Sequence, residues 1–197
     1  MGGFSVTDDR EVRMTSAIFG RSTPITEEEF LALGEPTERV ELFDWSLVVT
    51  PAPTPRHQHI SSELKFALRA AARQAGLYVH EAVNVRLQPG RIPIPDIVIT
   101  EAIDFDAPFI DAEAVLLVCE IMSPSNAAAD RVLKMHYYAA AGIPWYLLVE
   151  QETATLSLYK ISGDKYLQHS VTKAGQLLQL EEPLRATIAP EDLLPPS

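Results

Sequence analysis

The run AVLLVCEIM at 114–122 constrains this chain more than any other stretch. It carries a single charged residue, Glu120, and its continuous apolar character is that of a strand covered on both faces. A strand of that kind belongs inside a sheet. The segment NAAADRVLKMHYYAAA follows with helical spacing, Ser123-Pro124-Ser125 opens it, and Gly142 stands where a left-handed residue would close it. PWYLLVE comes next as another apolar strand, and this strand, helix, strand succession predicts a parallel pair joined by a right-handed crossover.

Other elements read outward from that centre. TPITEEEFLAL predicts a short helix with Thr26 as N-cap and acids in its first turn. RVELFDWSLVVTPAP alternates and is rich in β-formers, so it predicts a hairpin turning at Phe43-Asp44-Trp45. Thr54-Pro55 then supplies an N-cap and a first-turn proline for a long helix, whose Ile60, Leu64, Leu68, Ala71 and Ala75 share a face until Gly76 stops it. LYVHEAVNVRLQ and IPIPDIVITEA read as two further strands around a Pro89-Gly90-Arg91 turn. Beyond Gln151, TLSLYKI, KYLQHSV and QLLQL predict an antiparallel C-terminal meander with turns at Ser162-Gly163-Asp164 and Ala174-Gly175. The expected class is α/β (α+β), a mixed β-sheet flanked by helices. One domain is expected over 26–190, with an irregular arm at 1–25 and a tail at 191–197.

Composition excludes several alternatives. No apolar run reaches the roughly 18 residues that a membrane helix needs, and the acids in MGGFSVTDDREVRM do not suit an export signal, so a cytoplasmic protein with no membrane partner is expected. Met1-Gly2 lacks the Ser or Thr that a myristoylation start has at the sixth position, which is Val6 here. Cys119 is the only cysteine, so an intramolecular disulfide is impossible and a zinc site built mainly of thiolates is excluded. Sixteen basic against 27 acidic residues give a net charge of −11, which repels polyanions at long range. Many of the acids cluster in EAIDFDAPFIDAE, TEEEF and the C-terminal tail, leaving room for local basic surface.

The chemistry concentrates on two carboxylates in costly places. Asp96 lies within IPIPDIVIT and Glu120 near the end of AVLLVCEIM, so both fall in apolar strands. A buried carboxylate must be paired, protonated or bound to a cation, and two on neighbouring strands repel unless positive charge lies between them. A divalent cation meets that need, and Mg²⁺ is often held by one or two carboxylates with water and phosphate oxygens completing its shell. The simpler alternatives are a strand-end turn for Asp96 and a helix-capping role for Glu120.

Pro95-Asp96, followed 24 residues later by Glu120, resembles the PD-(D/E)XK nuclease signature. The ordered blocks VELFDWSLVVTPAPTPRHQHI, IPDIVI, CEIMSPSN, Asp130/Lys134/Tyr138 and AGIPWYLLVE are similar to the restriction-endonuclease family often called Uma-type, over about 26–190. The resemblance implies a restriction-endonuclease-like fold and Mg²⁺- or Mn²⁺-dependent hydrolysis of DNA, with Asp96 and Glu120 as metal ligands. The superfamily's lysine, expected two residues after the glutamate, is replaced by Met122, and the resemblance implies Lys134 of the following helix as its substitute. Asp130, Lys134 and Tyr138 form one helical stripe, which also reads as an ordinary ion pair beside a packing tyrosine. Glu41 matches the glutamate of the family's first block, and His57 stands near a helix N-terminus, where it is either an accessory site residue or a core histidine. Lys65, Arg69 and Arg73 recur at four-residue spacing as a candidate phosphate-tracking stripe or a plain solvated face. Weak, local DNA contacts and a homodimer paired through the meander's edges are expected. The competing functions are a nuclease-fold module that binds or regulates without cutting, and a purely structural domain.

Overall fold

The computed structural model describes residues 24–34, 38–122 and 128–196; the arm expected at 1–25, apart from Pro24 and Ile25, and the Ser123-Pro124-Ser125 helix opening lie outside the described residues. A short helix α1 (Glu27–Leu31) is followed by the hairpin β1 (Arg39–Phe43) and β2 (Ser46–Thr50), and by the long helix α2 (Pro55–Gln74). Next come β3 (Tyr78–Glu81), β4 (Val85–Arg86), β5 (Arg91–Ile92), β6 (Ile97–Thr100), β7 (Ile110–Asp111) and β8 (Val115–Met122). Helix α3 (Ala128–Ala140) leads to β9 (Trp145–Glu150), β10 (Leu156–Ser162), β11 (Lys165–Thr172), β12 (Leu178–Leu180) and β13 (Ala186–Ile188).

Six strands form the central sheet in the order β11-β10-β9-β8-β6-β3. The apolar run at 114–122 is its inner strand β8, parallel to β9 and antiparallel to β6. The parallel pairing follows from the α3 crossover, which returns the chain to the same end of the sheet. The sheet is therefore mixed, as its sequence pattern requires.

Alternation along the strands divides the core. Ile97, Ile99, Leu117, Cys119 and Ile121 face α2, whose Ile60, Leu64 and Leu68 are fully buried against them. Burying each such side chain is worth roughly 1.5–3 kcal/mol. Val98, Val118, Tyr146 and Leu148 face the other way, where Tyr138 of α3 and Val85 cover them. A third cluster joins Phe30 of α1 to Val40, Leu42 and Ile92, so the three-stranded sheet β2-β1-β5 is seated on its own apolar layer.

Local chemistry explains the element ends. Thr26 and Glu29 make a reciprocal capping box on α1. Thr54 accepts from the His57 N–H and Pro55 occupies the first turn of α2, while Gly76 follows its C-cap at φ 70°. Asp44 and Trp45 form the β1–β2 turn at φ 49° and 64°, both left-handed, as a two-residue hairpin demands.

Three expectations change. LYVHEAVNVRLQ is two strands, because Ala82 takes φ 50° and ends the pairing of β3. IPIPDIVITEA is also two, since Pro93 and Pro95 lack the N–H groups a continuous ladder needs. QLLQL leaves the meander: β10 and β11 continue antiparallel from β9, whereas β12 pairs with β13 in a separate ribbon. No helix of the described residues is long and apolar enough to cross a membrane.

Gly90 sits at φ 78°, an added Cβ would lie 2.5 Å from the Trp45 indole, and the Trp45 backbone N–H donates to the Gly90 carbonyl at 3.2 Å. Gly90→Ala is expected to cost about 1–3 kcal/mol in urea unfolding. An unchanged midpoint would show that Trp45 moves aside freely.

Candidate active site at the end of the central sheet

Register brings the two carboxylates together. Ile97 of β6 pairs with Cys119 of β8, so the next position places Asp96 opposite Glu120, both on the α3 face of the sheet. Asp96 Oδ2 accepts from the Ile121 N–H at 2.7 Å, which fixes its carboxylate against β8. From β1, Glu41 enters the same place: it is 1% exposed, and its Oε1 accepts from the Ile94 N–H at 2.8 Å. That N–H lies between Pro93 and Pro95, where no ladder bond would otherwise satisfy it.

Lys134 closes the cage from α3. Its Nζ lies 3.0 Å from Glu41 Oε1 and 3.5 Å from Glu120 Oε1, and the residue is 8% exposed. Tyr138, one turn later, donates its hydroxyl to Glu120 Oε1 at 2.6 Å. Helical spacing of four therefore aims both side chains at one carboxylate. Met122 stands at the end of β8, half-buried on the apolar cluster, and supplies no charge. Asp130's side chain is outside the described residues.

Arg39 and His57 hold Asp96 from the other side. Arg39 Nη1 is 2.9 Å and His57 Nε2 3.2 Å from Asp96 Oδ1. Burial alone would raise the Asp96 carboxyl, but the hydrogen bond from His57, the charges of Arg39 and His57, and the Ile121 N–H outweigh it and hold the group at about 2. Glu120 goes the opposite way. Burial, then the charges of Asp96 and Glu41, push it to about 7 against the pull of Lys134 and Arg39. Lys134 and Arg39 both lie above their ordinary values: burial works against their charge, and Glu120 and Glu41 overcome it at Lys134, as Asp96, Glu120 and Glu41 do at Arg39. Cys119 is buried beneath the pair, and burial followed by the charges of Asp96 and Glu120 drives its thiol well above the usual range, making it inert.

Of the residues singled out in the sequence, Asp96, Glu120, Lys134, Glu41 and His57 converge on this point. Lys65 does not: it pairs with Glu81 at 2.7 Å, beside a hydrogen bond from Ser61 to the same carboxylate. Arg69 and Arg73 continue along α2 as exposed residues. Arg39 was not singled out. Its signal is nonetheless present, since a strand places Arg39 and Glu41, two apart, on one face. Tyr138, set aside as a packing residue, is both fully buried and bonded to Glu120.

Among the described residues no three His, Cys, Asp or Glu side chains form a ready-made coordination cluster. The side-chain cations explain this, because Lys134 lies between Glu41 and Glu120 while Arg39 and His57 take Asp96. Two carboxylates with water still meet what Mg²⁺ commonly requires.

The model of the Uma2 family, described as "putative restriction endonuclease", matches residues 27–191. This chain belongs to that family. The Uma2 match spans every strand and helix that builds the cage, from Glu41 to Tyr138. The crystal structure of a putative nuclease belonging to DUF820 from Anabaena variabilis ATCC 29413 is similar, with a TM-score of 0.70 over 86% of this chain and 97% of that one. At 19% identity it speaks for the fold of this Uma2 member and not for its activity. No curated protein matches.

Proposed function

We propose that this chain is a divalent-metal-dependent endonuclease that hydrolyses phosphodiester bonds of DNA, with 26–190 as its catalytic domain and Mg²⁺ or Mn²⁺ as its cofactor. The observation that carries the reading is charge. Two buried carboxylates, Glu41 and Asp96, and the partly buried Glu120 face two permanent cations, Arg39 and Lys134, and the deficit appears at Glu120, which is pushed up to about 7. Asp96 and Glu120 would hold the metal, with Glu41 as an accessory ligand. The hydrogen bonds described for Glu41 and Glu120 fall on Oε1 of each, so Oε2 is the oxygen each would offer. A bound divalent cation supplies Lewis acidity toward a phosphate and a more acidic water.

The remaining work belongs to the side chains. Lys134, held by Glu41, presents an ammonium within reach of phosphoryl charge. Tyr138 orients the Glu120 carboxylate, and His57 and Arg39 orient Asp96. Lys65, Arg69 and Arg73 would track backbone phosphate along α2, with Lys65 first releasing Glu81. A homodimer acting in the cytoplasm completes the reading, supported by β11 at the sheet edge with Leu167 and Val171 exposed. A second reading, a nuclease-fold module that binds without cutting, is favoured by the side-chain cations already seated among the carboxylates.

One experiment separates them. Incubation with single-stranded and duplex DNA in Mg²⁺ or Mn²⁺ is expected to give endonucleolytic products that EDTA abolishes, with Mn²⁺ binding visible by calorimetry. Absence of both cleavage and metal binding overturns the nuclease reading.

A further inference from the structure

The cleft that reaches Asp96 has a second wall that phosphodiester chemistry does not use. About 870 Å³ in volume, it is lined by Arg39, His57 and Asp96 and also by His80, Phe105 and Phe109. His80 of β3 lies opposite Val98 of β6, and Tyr78 opposite Thr100. Asp96 shares the parity of Val98 and Thr100, so Asp96, His80 and Tyr78 emerge on one face of the sheet. They are spaced along it by about 7 and 13 Å at roughly 3.3 Å per residue.

Phe105, from the loop after β6, completes a ring cluster. It meets Tyr78 edge-on at 5.2 Å and lies 5.8 Å from His80, which stacks on Tyr78 at 6.3 Å. These rings are not core: Phe105 is 64% exposed and Tyr78 40%. The loop that carries Phe105 is tied down, because the Asp106 N–H donates to Asp104 Oδ1 and Asn84 Nδ2 donates to the Pro108 carbonyl. Rings already held in place lose little entropy when a ligand stacks on them.

Charge selects among nucleic acids. Glu38, Glu81 and Asp104 also line the cleft, in a chain of net charge −11. A duplex brings one phosphate charge per roughly 1.7 Å of axis, about twice the density of a single strand, and hides the base faces in its own stack. An acidic cleft walled by exposed rings therefore suits unpaired bases, whose stacking depends little on sequence.

We propose that this cleft binds single-stranded nucleic acid, with a base stacked on Phe105, which Tyr78 buttresses edge-on, and the backbone led past His80 to Asp96, opposite which Glu120 stands on β8. The proposal rests on the nuclease reading and names its substrate class. Its test is fluorescence anisotropy of a labelled oligothymidylate and of a hairpin duplex, with Ca²⁺ replacing Mg²⁺ so that binding is read alone. Wild type is expected to bind the single strand at least about tenfold more tightly than the duplex, and Phe105→Ala to weaken the strand by about tenfold, the loss of one base stack. Phe105→Trp should retain affinity and show indole quenching when the oligonucleotide binds. Equal affinity for strand and duplex, or an unchanged Phe105→Ala, overturns the proposal. Cleavage of the same oligonucleotide by wild type in Mn²⁺ is scored separately. Phe105-dependent binding without cleavage leaves this site standing and fails the nuclease reading; cleavage with unaltered Phe105→Ala binding does the reverse.

Discussion

Glu120→Gln is expected to reduce DNA cleavage by at least about 100-fold while the metal-free protein at pH 8 melts no lower than wild type. The substitution keeps the side chain's volume, and the amide oxygen can still accept from Tyr138, whose hydroxyl lies 2.6 Å away. It removes the charge that a metal would need and that the fold tolerates poorly, since burial, Asp96 and Glu41 together push Glu120 to about 7. Function and stability then move apart, as they do where a fold stores unfavourable charge for chemistry. Asp96→Asn makes the contrast. Arg39, His57 and the Ile121 N–H converge on that carboxylate, so its neutralisation should lose cleavage and stability together. Initial cleavage rates and thermal melts of both variants check the pair. Near-wild-type cleavage by Glu120→Gln would remove Glu120 from the reaction.

The sequence displays what depends on local pattern. The β8–α3–β9 crossover, the β1–β2 hairpin and both caps of α2 are legible because periodicity, turn residues and cap residues act over a few positions. Pairing over long separations is not legible in the same way. β12 reads as another meander strand, yet Leu178 and Leu180 join the α2-side core, and the ribbon with β13 lets them do so. At the site, Asp96 and Glu120 stand out because a charge in an apolar strand must be answered. What answers it comes from residues distant in sequence: Arg39 from β1, His57 from α2, Lys134 from α3. The cation stripe on α2 shows the converse. Its spacing is regular, but Glu81 across the sheet edge claims Lys65, and helical periodicity carries no information about that partner.

Lys134→Met is expected to destabilise the metal-free protein by about 3–5 kcal/mol at pH 8, because Glu41 and Glu120 lose the buried ammonium between them. The loss should shrink at pH 5.5. A carboxyl whose folded pKa is raised contributes full stability below its ordinary range and loses it as pH rises through the folded value, here about 7 for Glu120. Asp96, held at about 2, has the opposite sign: its contribution is present above the ordinary aspartate value and disappears as pH falls toward 2. On these two shifts the wild-type apoprotein is therefore most stable at roughly pH 4–4.5, between the ordinary aspartate and glutamate values, and loses stability from there toward pH 7. Lys134 is the leading influence that lowers Glu120, so the variant's Glu120 moves further up and the alkaline penalty deepens. Protonation at pH 5.5 relieves that penalty, though it does not replace the partner of Glu41. Mn²⁺ should restore more stability to Lys134→Met than to wild type, since the ion supplies the positive charge that the ammonium supplied. Urea midpoints at the two pH values, with and without Mn²⁺, test each step. A variant as stable as wild type at pH 8 would show that Lys134 does not neutralise the cage, and a Mn²⁺ gain no larger than wild type's would show that metal and ammonium do not serve the same carboxylates.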